Sequence, residues 1–307
     1  MNILADENSP ILMPKRSRYA GLPVDVSARR SVTLRMDTLE DERVVFDYFF
    51  HEGTFWTATL PLDGVVDIFG QSMNFSSKKT RQGKDGREVV LDKHGIPKCT
   101  LSLLNHIQTR FVMRRGKSVD LYPLGHDTTG TPTHQIHDFV YSLEAVGPPG
   151  VMFNLWDAYF GNLVAAHRFA STTEIVFERI VVEDHYISES PPIPLSDAEK
   201  KAVLLESLKR SHRSANNEKY RLFHLVGTNN CTSTPFHIVD TVRNYPFWRR
   251  LGTMLFRAPI NPRVYLRVRG LDSDPSVRTR LRDQFQEYIH QPATQQRKRE
   301  YRSPGNK

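Results

Sequence analysis

Short runs of β-branched and aromatic residues, separated by turn residues, are the feature that most constrains the fold of this sequence. Four such runs follow one another between residues 31 and 69, with Glu-Asp, His-Glu-Gly and Asp-Gly breaks between them: SVTLRM, RVVFDYFF, TFWTATL and VVDIF. Runs of this length and spacing are typical of β-strands. A further pair, LLNHIQTRFVM and SVDLYPL, flanks a Gly-centred break and predicts a β-hairpin.

Later segments extend the β pattern. The charged, Gly-containing stretch 76–98 predicts a long hairpin or connection, and EIVFERIVVEDHYI and PINPRVYLRVRG each predict a strand. On the His106 strand, alternation places Ile107 and Phe111 on one face and His106 and Arg110 on the other. Residues 1–28 are polar and aperiodic, and we expect them to be loosely ordered.

One helix is strongly signalled in PLSDAEKKAVLLESLKRSH. Ser196 and Glu199 have the spacing of a capping box, and apolar residues follow at helical intervals. Strands together with helices predict an α+β fold. The changes in composition divide the chain into a polar and β-rich portion at 1–95, a mixed domain at 96–270, and a basic helix with a tail at 271–307.

Composition excludes several classes of protein. The 307 residues carry a formal net charge of +8, but much of it lies near the termini, for example at Arg297, Lys298 and Arg299, where solvated tails are common. Two cysteines cannot build a disulfide framework or a Cys-rich zinc module. No apolar run could span a membrane and no secretory signal is evident, so we expect the cytoplasm, or export by another route. No cofactor is expected.

Cys231 lies in the stretch GTNNCTSTPFHIVD, which predicts a loop entering a helix. A thiol at a helix N-terminus is stabilised as the thiolate by unpaired N–H groups and the helix dipole, and the thiolate is the nucleophilic form. Asn229, Asn230 and Thr232 are candidate oxyanion or positioning groups. Free cysteine is also common as a small buried residue, so the residues alone leave nucleophile and packing roles open.

Twelve histidines make any single one weak evidence for a base. His106 is a candidate because it lies on the polar face of a strand. His126, His134, His137 and Asp138 form a separate group that could bind zinc, although a Gly- and Thr-rich loop is not the helix that fixes ligands in the strong motifs. A zinc hydrolase on that loop stays open as an alternative, although we expect no metal.

Five segments occur in an order that is more specific than any one of them: NHIQTRF, DFVYSLEAVGPPG, PLSDAE, KYRLFHLVG and TNNCTS. Over residues 100–245 the chain resembles the Lnb N-terminal-domain family of bacterial proteins, which includes lipoprotein intramolecular transacylases. More broadly it is similar to circularly permuted papain-like, NlpC-type cysteine hydrolases and acyltransferases. The resemblance implies that 96–270 is a papain-like Cys/His catalytic domain, with a permuted core in which the histidine strand precedes the cysteine helix.

The resemblance implies a dyad with Cys231 as the nucleophile and His106 as the base, acting through a thioester on an acyl- or peptide-bearing substrate. Counting across the predicted hairpin places His126 opposite His106, with Asp120 behind it, as the third catalytic group. The predicted function is cysteine-dependent acyl transfer, either hydrolysis or transfer to another acceptor. The alternative is a non-catalytic module that binds nucleic acid or anionic surfaces through its basic end.

Overall fold

One large sheet organises the described part of the chain. The computed structural model describes residues 10–35, 43–83, 86–93, 95–101, 105–222, 229–249, 262–272, 274 and 278–302. Within these residues the architecture is α+β, as predicted. The strands are β1 (Thr33–Leu34), β2 (Arg43–His51), β3 (Thr54–Pro61), β4 (Val65–Asn74), β5 (Thr80–Gly83), β6 (Gly86–Val89), β7 (Asn105–Met113), β8 (Val119–Pro123), β9 (His134–Ile136), β10 (Asp138–Val146), β11 (Val164–Ser171), β12 (Ile187–Glu189) and β13 (Thr279–Arg280).

Helices are concentrated in the second half of the chain. The predicted helix is confirmed as α3, with its capping box between Ser196 and Glu199. The helices are α1 (Leu155–Phe160), α2 (Thr172–Ile175) with a π-helical continuation (Val176–Val182), α3 (Asp197–Ser214), α4 (Ser233–Val242), α5 (Pro262–Arg269), α6 (Leu281–Gln284), α7 (Gln286–His290) and α8 (Pro292–Arg302).

The large sheet has eleven strands in the order β13-β12-β4-β7-β10-β11-β2-β3-β8-β9, with β1 also paired to β2. Neighbours are antiparallel except β11 and β2, which run parallel. Strand β4 pairs with β7 from Val65 opposite Met113 to Asn74 opposite Asn105. The strands before and after residue 95 therefore belong to one sheet, and the predicted boundary there does not separate two sheets.

Both faces of the central strands are covered. On one face Ile107 and Phe111 of β7 belong to a core that includes residues of α3 and α4, such as Leu204 and Phe236. On the other face Val140 of β10 packs with apolar residues of α2, its π-helical continuation and α6. The predicted alternation along β7 is confirmed, and it turns the polar side chains of this strand toward the second face.

The predicted hairpin over residues 105–123 is wrong. Strand β7 pairs with β4 and β10, whereas β8 pairs with β3 and β9. Gly116 has a left-handed φ of 79°, as in a tight turn, but the strands on either side of it, β7 and β8, do not pair with each other. The predicted hairpin over residues 76–98 is confirmed by the separate β5–β6 pair.

Two segments that were predicted as strands contain helices instead: EIVFERIVVEDHYI and PINPRVYLRVRG. In EIVFERIVVEDHYI, Ile175, Val176, Ile180 and Val181 are all buried, which fits a helical repeat better than the alternation of a strand. In the second, α5, two consecutive residues are buried, and Tyr265 stacks on the ring of Phe236 at 4.7 Å. In both cases β-branched and aromatic residues follow tertiary packing rather than their intrinsic preference for strands.

Both ends of the described chain pack on the core. Met13 and Val24 are buried beside β10 and β11, so the expectation of loose order is wrong for residues 10–28. The predicted basic helix is confirmed as α8, where Arg297 pairs with Glu174 at 2.7 Å. Lys307 and residues 1–9 lie outside the described residues. No helix in the described ranges has the length and apolar character needed to cross a bilayer.

Candidate active site

A cavity of about 810 Å³ lies beside the start of β7, and both Cys231 and His106 line it. Its volume is within the range of small-molecule sites. The polar side is built from β7, β10, the π-helical segment and the loop before α4. Apolar residues also line the cavity, and they include Met73, Phe75, Leu143, Val146, Val151, Phe153 and Leu163.

Cys231 lies two residues before the start of α4, as the sequence predicts for a thiol near a helix N-terminus. The residue is only 4% exposed although it faces the cavity. The hydroxyl of Tyr220 donates a hydrogen bond to Sγ at 3.5 Å, and the thiol approaches the carbonyl oxygen of Asn105 at 3.9 Å. The sulfur is therefore held in place by the start of β7 and by a buried phenol.

The surroundings of Cys231 favour the thiolate. Burial raises the pKa of the thiol, but the positive charge of His106, a hydrogen bond with its ring and the bond from Tyr220 outweigh burial and lower it. Cys99 lies in a different and smaller cavity of about 340 Å³, where burial raises its pKa. The two thiols of the chain are thus expected to differ in reactivity.

The ring of His106 is oriented by a relay on β10. Its Nε2 lies 2.8 Å from Oγ of Ser142, and that hydroxyl donates to Oε1 of Glu144 at 2.8 Å. Because the Ser142 hydroxyl donates its one proton to Glu144, it can only accept from His106, so Nε2 carries a proton and donates to Ser142 Oγ. In the neutral ring this tautomer leaves the lone pair of Nδ1 free, and Nδ1 is the nitrogen we assign to the thiol.

The charge behind the relay comes from Glu144 and Arg179. Their side chains pair at 3.0 Å, and Glu144 Oε1 lies 3.5 Å from Nε2 of His106. Burial opposes ionisation of Glu144, but Arg179 and His106 hold the pKa of its carboxyl well below the usual range. Burial likewise lowers the pKa of His106, while Glu144 and then Cys231 raise it above its ordinary value. The buried carboxylate therefore stabilises an imidazolium beside the thiol.

Strand register and a π-helix assemble this group. Strands β7 and β10 pair antiparallel with Gln108 opposite Ser142, and continuing that register places Glu144 opposite His106. Arg179 lies on the π-helical segment, where Glu183 N–H bonds to Glu178 C=O across five residues. Single π-helical turns inside α-helices are frequent at functional sites.

The predicted oxyanion groups have structural roles. Oδ1 of Asn230 accepts from the backbone N–H groups of Thr232 at 2.9 Å and Ser233 at 2.7 Å, and its amide donates to Leu222 C=O at 2.9 Å. The Asn229 amide donates to Glu218 at 3.0 Å. Asn230 and Thr232 are fully buried, so these side chains brace the cysteine loop rather than face the cavity.

Tyr220 is better placed than the asparagines to stabilise an oxyanion. Its hydroxyl bonds Sγ and also interacts with the backbone N–H of Cys231. Tyr220 lines the cavity and is only 3% exposed. Sequence reasoning used this residue only as part of a resembling segment. It missed Ser142, Glu144 and Arg179, because their alignment depends on the β7–β10 pairing.

The structure does not place His126 and Asp120, the predicted third catalytic group, beside His106. His126 and Asp120 do not line the cavity of Cys231. The backbone C=O of His126 accepts from Arg35 at 3.4 Å, and Asp120 pairs with Arg43 at 2.5 Å. The error follows from the hairpin, because β8 lies beside β3 and not beside β7.

The histidines considered for zinc are also dispersed. Nδ1 of His137 bonds to the backbone oxygen of Lys117 at 2.9 Å. Asp138 pairs with Arg110, whose Nε donates to it at 2.8 Å. His126, His137 and Asp138 do not form a ligand group with His134 within the described ranges.

Comparison with known proteins gives no match: no family model, curated protein or solved structure is similar to this chain at a significant level. The resemblance to the Lnb N-terminal-domain family therefore stays a prediction from sequence.

Proposed function

We propose that this protein is a cysteine-dependent acyl-transfer enzyme, in which Cys231 is the nucleophile and His106 the acid and base. The observation that supports the proposal is that Cys231 and His106 line the same cavity, and that His106 begins a chain of polar contacts through Ser142 and Glu144 to Arg179. A nucleophile, a base and an orienting group in this sequence are the parts needed for covalent catalysis.

In the first half-reaction the Cys231 thiolate attacks the carbonyl carbon of the bound acyl donor. The negative charge that develops on the carbonyl oxygen is stabilised by the Tyr220 hydroxyl. The carbon–leaving group bond then breaks, and the His106 imidazolium gives its Nδ1 proton to the leaving group. The products are an acyl thioester on Cys231, a neutral imidazole and the free alcohol or amine.

In the second half-reaction an acceptor takes the place of the leaving group. Neutral His106 removes the acceptor proton through Nδ1 while the acceptor oxygen or nitrogen attacks the thioester carbon. The carbon–sulfur bond breaks, which restores the Cys231 thiolate and the imidazolium. Water as acceptor gives hydrolysis, and an alcohol or amine gives transfer.

The lining of the cavity favours a donor with an apolar acyl chain. Phe75, Val151 and Phe153 are among the apolar residues that line it. Met152 at the cavity and Trp156 on the adjoining α1 are 85% and 72% exposed. Exposed apolar side chains beside a site commonly mark ligand contacts.

The direct test is trapping of the thioester with p-nitrophenyl esters of increasing chain length. We expect a burst of p-nitrophenol, a mass increase equal to the acyl group, and mapping of that group to Cys231 by peptide mass spectrometry. Cys231→Ala abolishes the adduct, and His106→Gln slows acylation by about 100-fold or more.

Cys99→Ser is the matched control, because it removes the other thiol and leaves the cavity of Cys231 intact. It retains the burst and the adduct. Circular dichroism of each variant establishes that it is folded. Acylation that persists in folded Cys231→Ala, or that maps equally to both cysteines, refutes the proposal.

A further inference from the structure

A second group of ligand-type side chains lies at the β2–β3 turn and on strand β9. One nitrogen each from His51 and His134 and one carboxylate oxygen of Glu52 lie within 4.8 Å of one another. Across the described ranges, this is the one set of three or more His, Cys, Asp or Glu side chains with such spacing. None of the three lines the cavity of Cys231.

A tight turn between β2 and β3 fixes the backbone positions of His51 and Glu52. His51 pairs with Thr54 across a two-residue turn, in which Glu52 and Gly53 have φ of 51° and 80°. Positive φ at both central residues is the signature of the tight type I′ hairpin turn. A left-handed Glu is uncommon outside such a turn. Two potential ligands are therefore adjacent on a rigid corner of the sheet.

A hydroxyl orients the His51 ring. Nδ1 of His51 lies 2.8 Å from Oγ of Ser171, and the same oxygen accepts the backbone N–H of Glu174 at 3.2 Å. With Nδ1–H as donor to Ser171, the lone pair of Nε2 faces the group, 3.9 Å from Oε1 of Glu52. A hydrogen bond on the remote ring nitrogen is the usual support of a metal-binding histidine.

Aromatic packing holds His134 in place. Its ring meets the rings of Trp56 and His51 edge-on, with centroids 4.9 Å and 5.0 Å away. The indole N–H of Trp56 in turn donates to the backbone oxygen of His51 at 3.0 Å. The two imidazoles are therefore fixed relative to each other from two strands that are far apart in sequence.

We propose that His51, Glu52 and His134 bind Zn²⁺, with water completing the coordination. Two imidazoles and one carboxylate form a donor set that suits zinc, whereas Mg²⁺ and Ca²⁺ prefer oxygen ligands alone. Tetrahedral ligands about 2.1 Å from zinc lie about 3.4 Å apart, so the donors must close slightly. The side chain of Glu52 is 63% exposed and supplies that movement.

The nearby positive charge is compensated. The Arg297 guanidinium acts electrostatically on His51, and it pairs with the buried carboxylate of Glu174 at 2.7 Å. The ion would join the β2–β3 turn to β9, which is the terminal strand of the sheet order. Bound zinc therefore stabilises the folded chain by mass action.

The test uses the full chain with both thiols removed, Cys99→Ser and Cys231→Ser, so that sulfur cannot bind the metal. Chelator-treated protein is titrated with Zn²⁺ by calorimetry and with Co²⁺ by visible absorption. We expect one ion per chain, a visible band typical of low-coordinate Co²⁺, and a higher melting temperature with Zn²⁺. Glu52→Gln and His134→Ala each weaken binding by about tenfold or more.

His137→Ala is the matched control, because this histidine lies three residues from His134 and bonds to a backbone oxygen instead. It retains the affinity and the thermal shift. Glu52→Gln changes an exposed turn side chain and leaves the packed rings untouched, so its result is independent of folding defects in His134→Ala. Absence of Zn²⁺ binding, or equal binding by Glu52→Gln, His134→Ala and the control, overturns the proposal.

Discussion

Replacement of Glu144 by glutamine removes the charge that supports His106 and retains the shape of the side chain. Glu144 contacts three groups: Ser142 Oγ at 2.8 Å, His106 Nε2 at 3.5 Å and Arg179 at 3.0 Å. Glu144→Gln keeps an oxygen that accepts from Ser142, but it leaves the imidazolium without its counter-charge. It also leaves Arg179 with Glu183 as a remaining carboxylate partner.

Two magnitudes follow from these contacts. Removing one partner of a buried ion pair costs about 3–5 kcal/mol. Because Arg179 keeps its contact with Glu183, the expected loss of unfolding free energy is at the lower end, about 3 kcal/mol. Two unit charges 3.5 Å apart interact by about 5 kcal/mol at an effective dielectric constant of 20. Arg179 offsets part of this energy. If one third of this interaction energy acts on His106, Glu144→Gln destabilises the thiolate–imidazolium pair by about 1.5 kcal/mol. The population of that pair then falls about tenfold.

Alkylation of Cys231 by iodoacetamide measures that population. The raised pKa of His106 means that its charged form supports the thiolate below that pKa, and this support is lost as pH rises through it. Glu144→Gln therefore slows alkylation by about tenfold near pH 6, and the difference shrinks in alkali, where the thiol ionises unaided. Urea unfolding of the same samples measures the stability term.

Glu183→Gln is the matched control. It removes the other carboxylate partner of Arg179 and makes no contact with His106, so it lowers stability but leaves alkylation of Cys231 unchanged. Equal alkylation rates for Glu144→Gln and the wild type near pH 6 refute the assigned role of the Glu144 charge. Equal slowing by Glu183→Gln assigns the effect to a general disturbance of the cavity instead.

Three further predictions concern neighbouring groups. Tyr220→Phe removes the hydroxyl that bonds Sγ, so steady-state ester cleavage falls about 100-fold while the urea midpoint changes little. Asn230→Ala removes the acceptor of two backbone N–H groups at the cysteine loop and lowers unfolding free energy by about 2–3 kcal/mol in urea melts, whereas Asn230→Asp retains that acceptor and loses less. Burial raises the pKa of Glu183, but His185 and Arg179 outweigh it and lower the pKa to about 2. The ionised Glu183 therefore stabilises the fold fully above its ordinary pKa, and this stabilisation is lost as pH falls toward 2. In Glu183→Gln we expect the urea midpoint to depend less on pH over this acid range.

Local signals in the sequence predicted the elements whose stability is itself local. The Ser196–Glu199 capping box and the loop-to-helix transition at Cys231 depend on residues within a few positions of each other, and both occur as expected. The alternation along β7 could also be predicted, because a strand with two different faces needs only a period of two.

Strand pairing could not be predicted in the same way. A glycine-centred break between two β-rich runs favours a hairpin, but β7 takes β4 and β10 as its hydrogen-bonded neighbours instead of β8. The error moved the expected partner of His106 from Glu144 to His126. The signal that could have found Glu144 was the alternation along the segment that forms β10, which sets Ser142 and Glu144 on one face.

The two helices predicted as strands have the same cause. Their valine, isoleucine and aromatic residues favour extended structure when considered alone. In the folded chain Ile180 and Tyr265 pack against separate faces of the sheet, and burial there outweighs propensity. The buried arginine of the π-helical segment, Arg179, gave no sequence signal, because its carboxylate partner Glu144 lies 35 residues away.

The proposed mechanism requires that His106 hold Cys231 as a thiolate near neutral pH. The most direct measurement is the ultraviolet thiolate absorbance of Cys99→Ser as a function of pH, where Cys231 is the one remaining thiol, compared with the same protein carrying His106→Gln. We expect a thiolate that persists well below the pH at which free cysteine ionises, and its loss in the His106 variant. Ionisation of Cys231 at or above the pH of free cysteine, unchanged by His106→Gln, would contradict it.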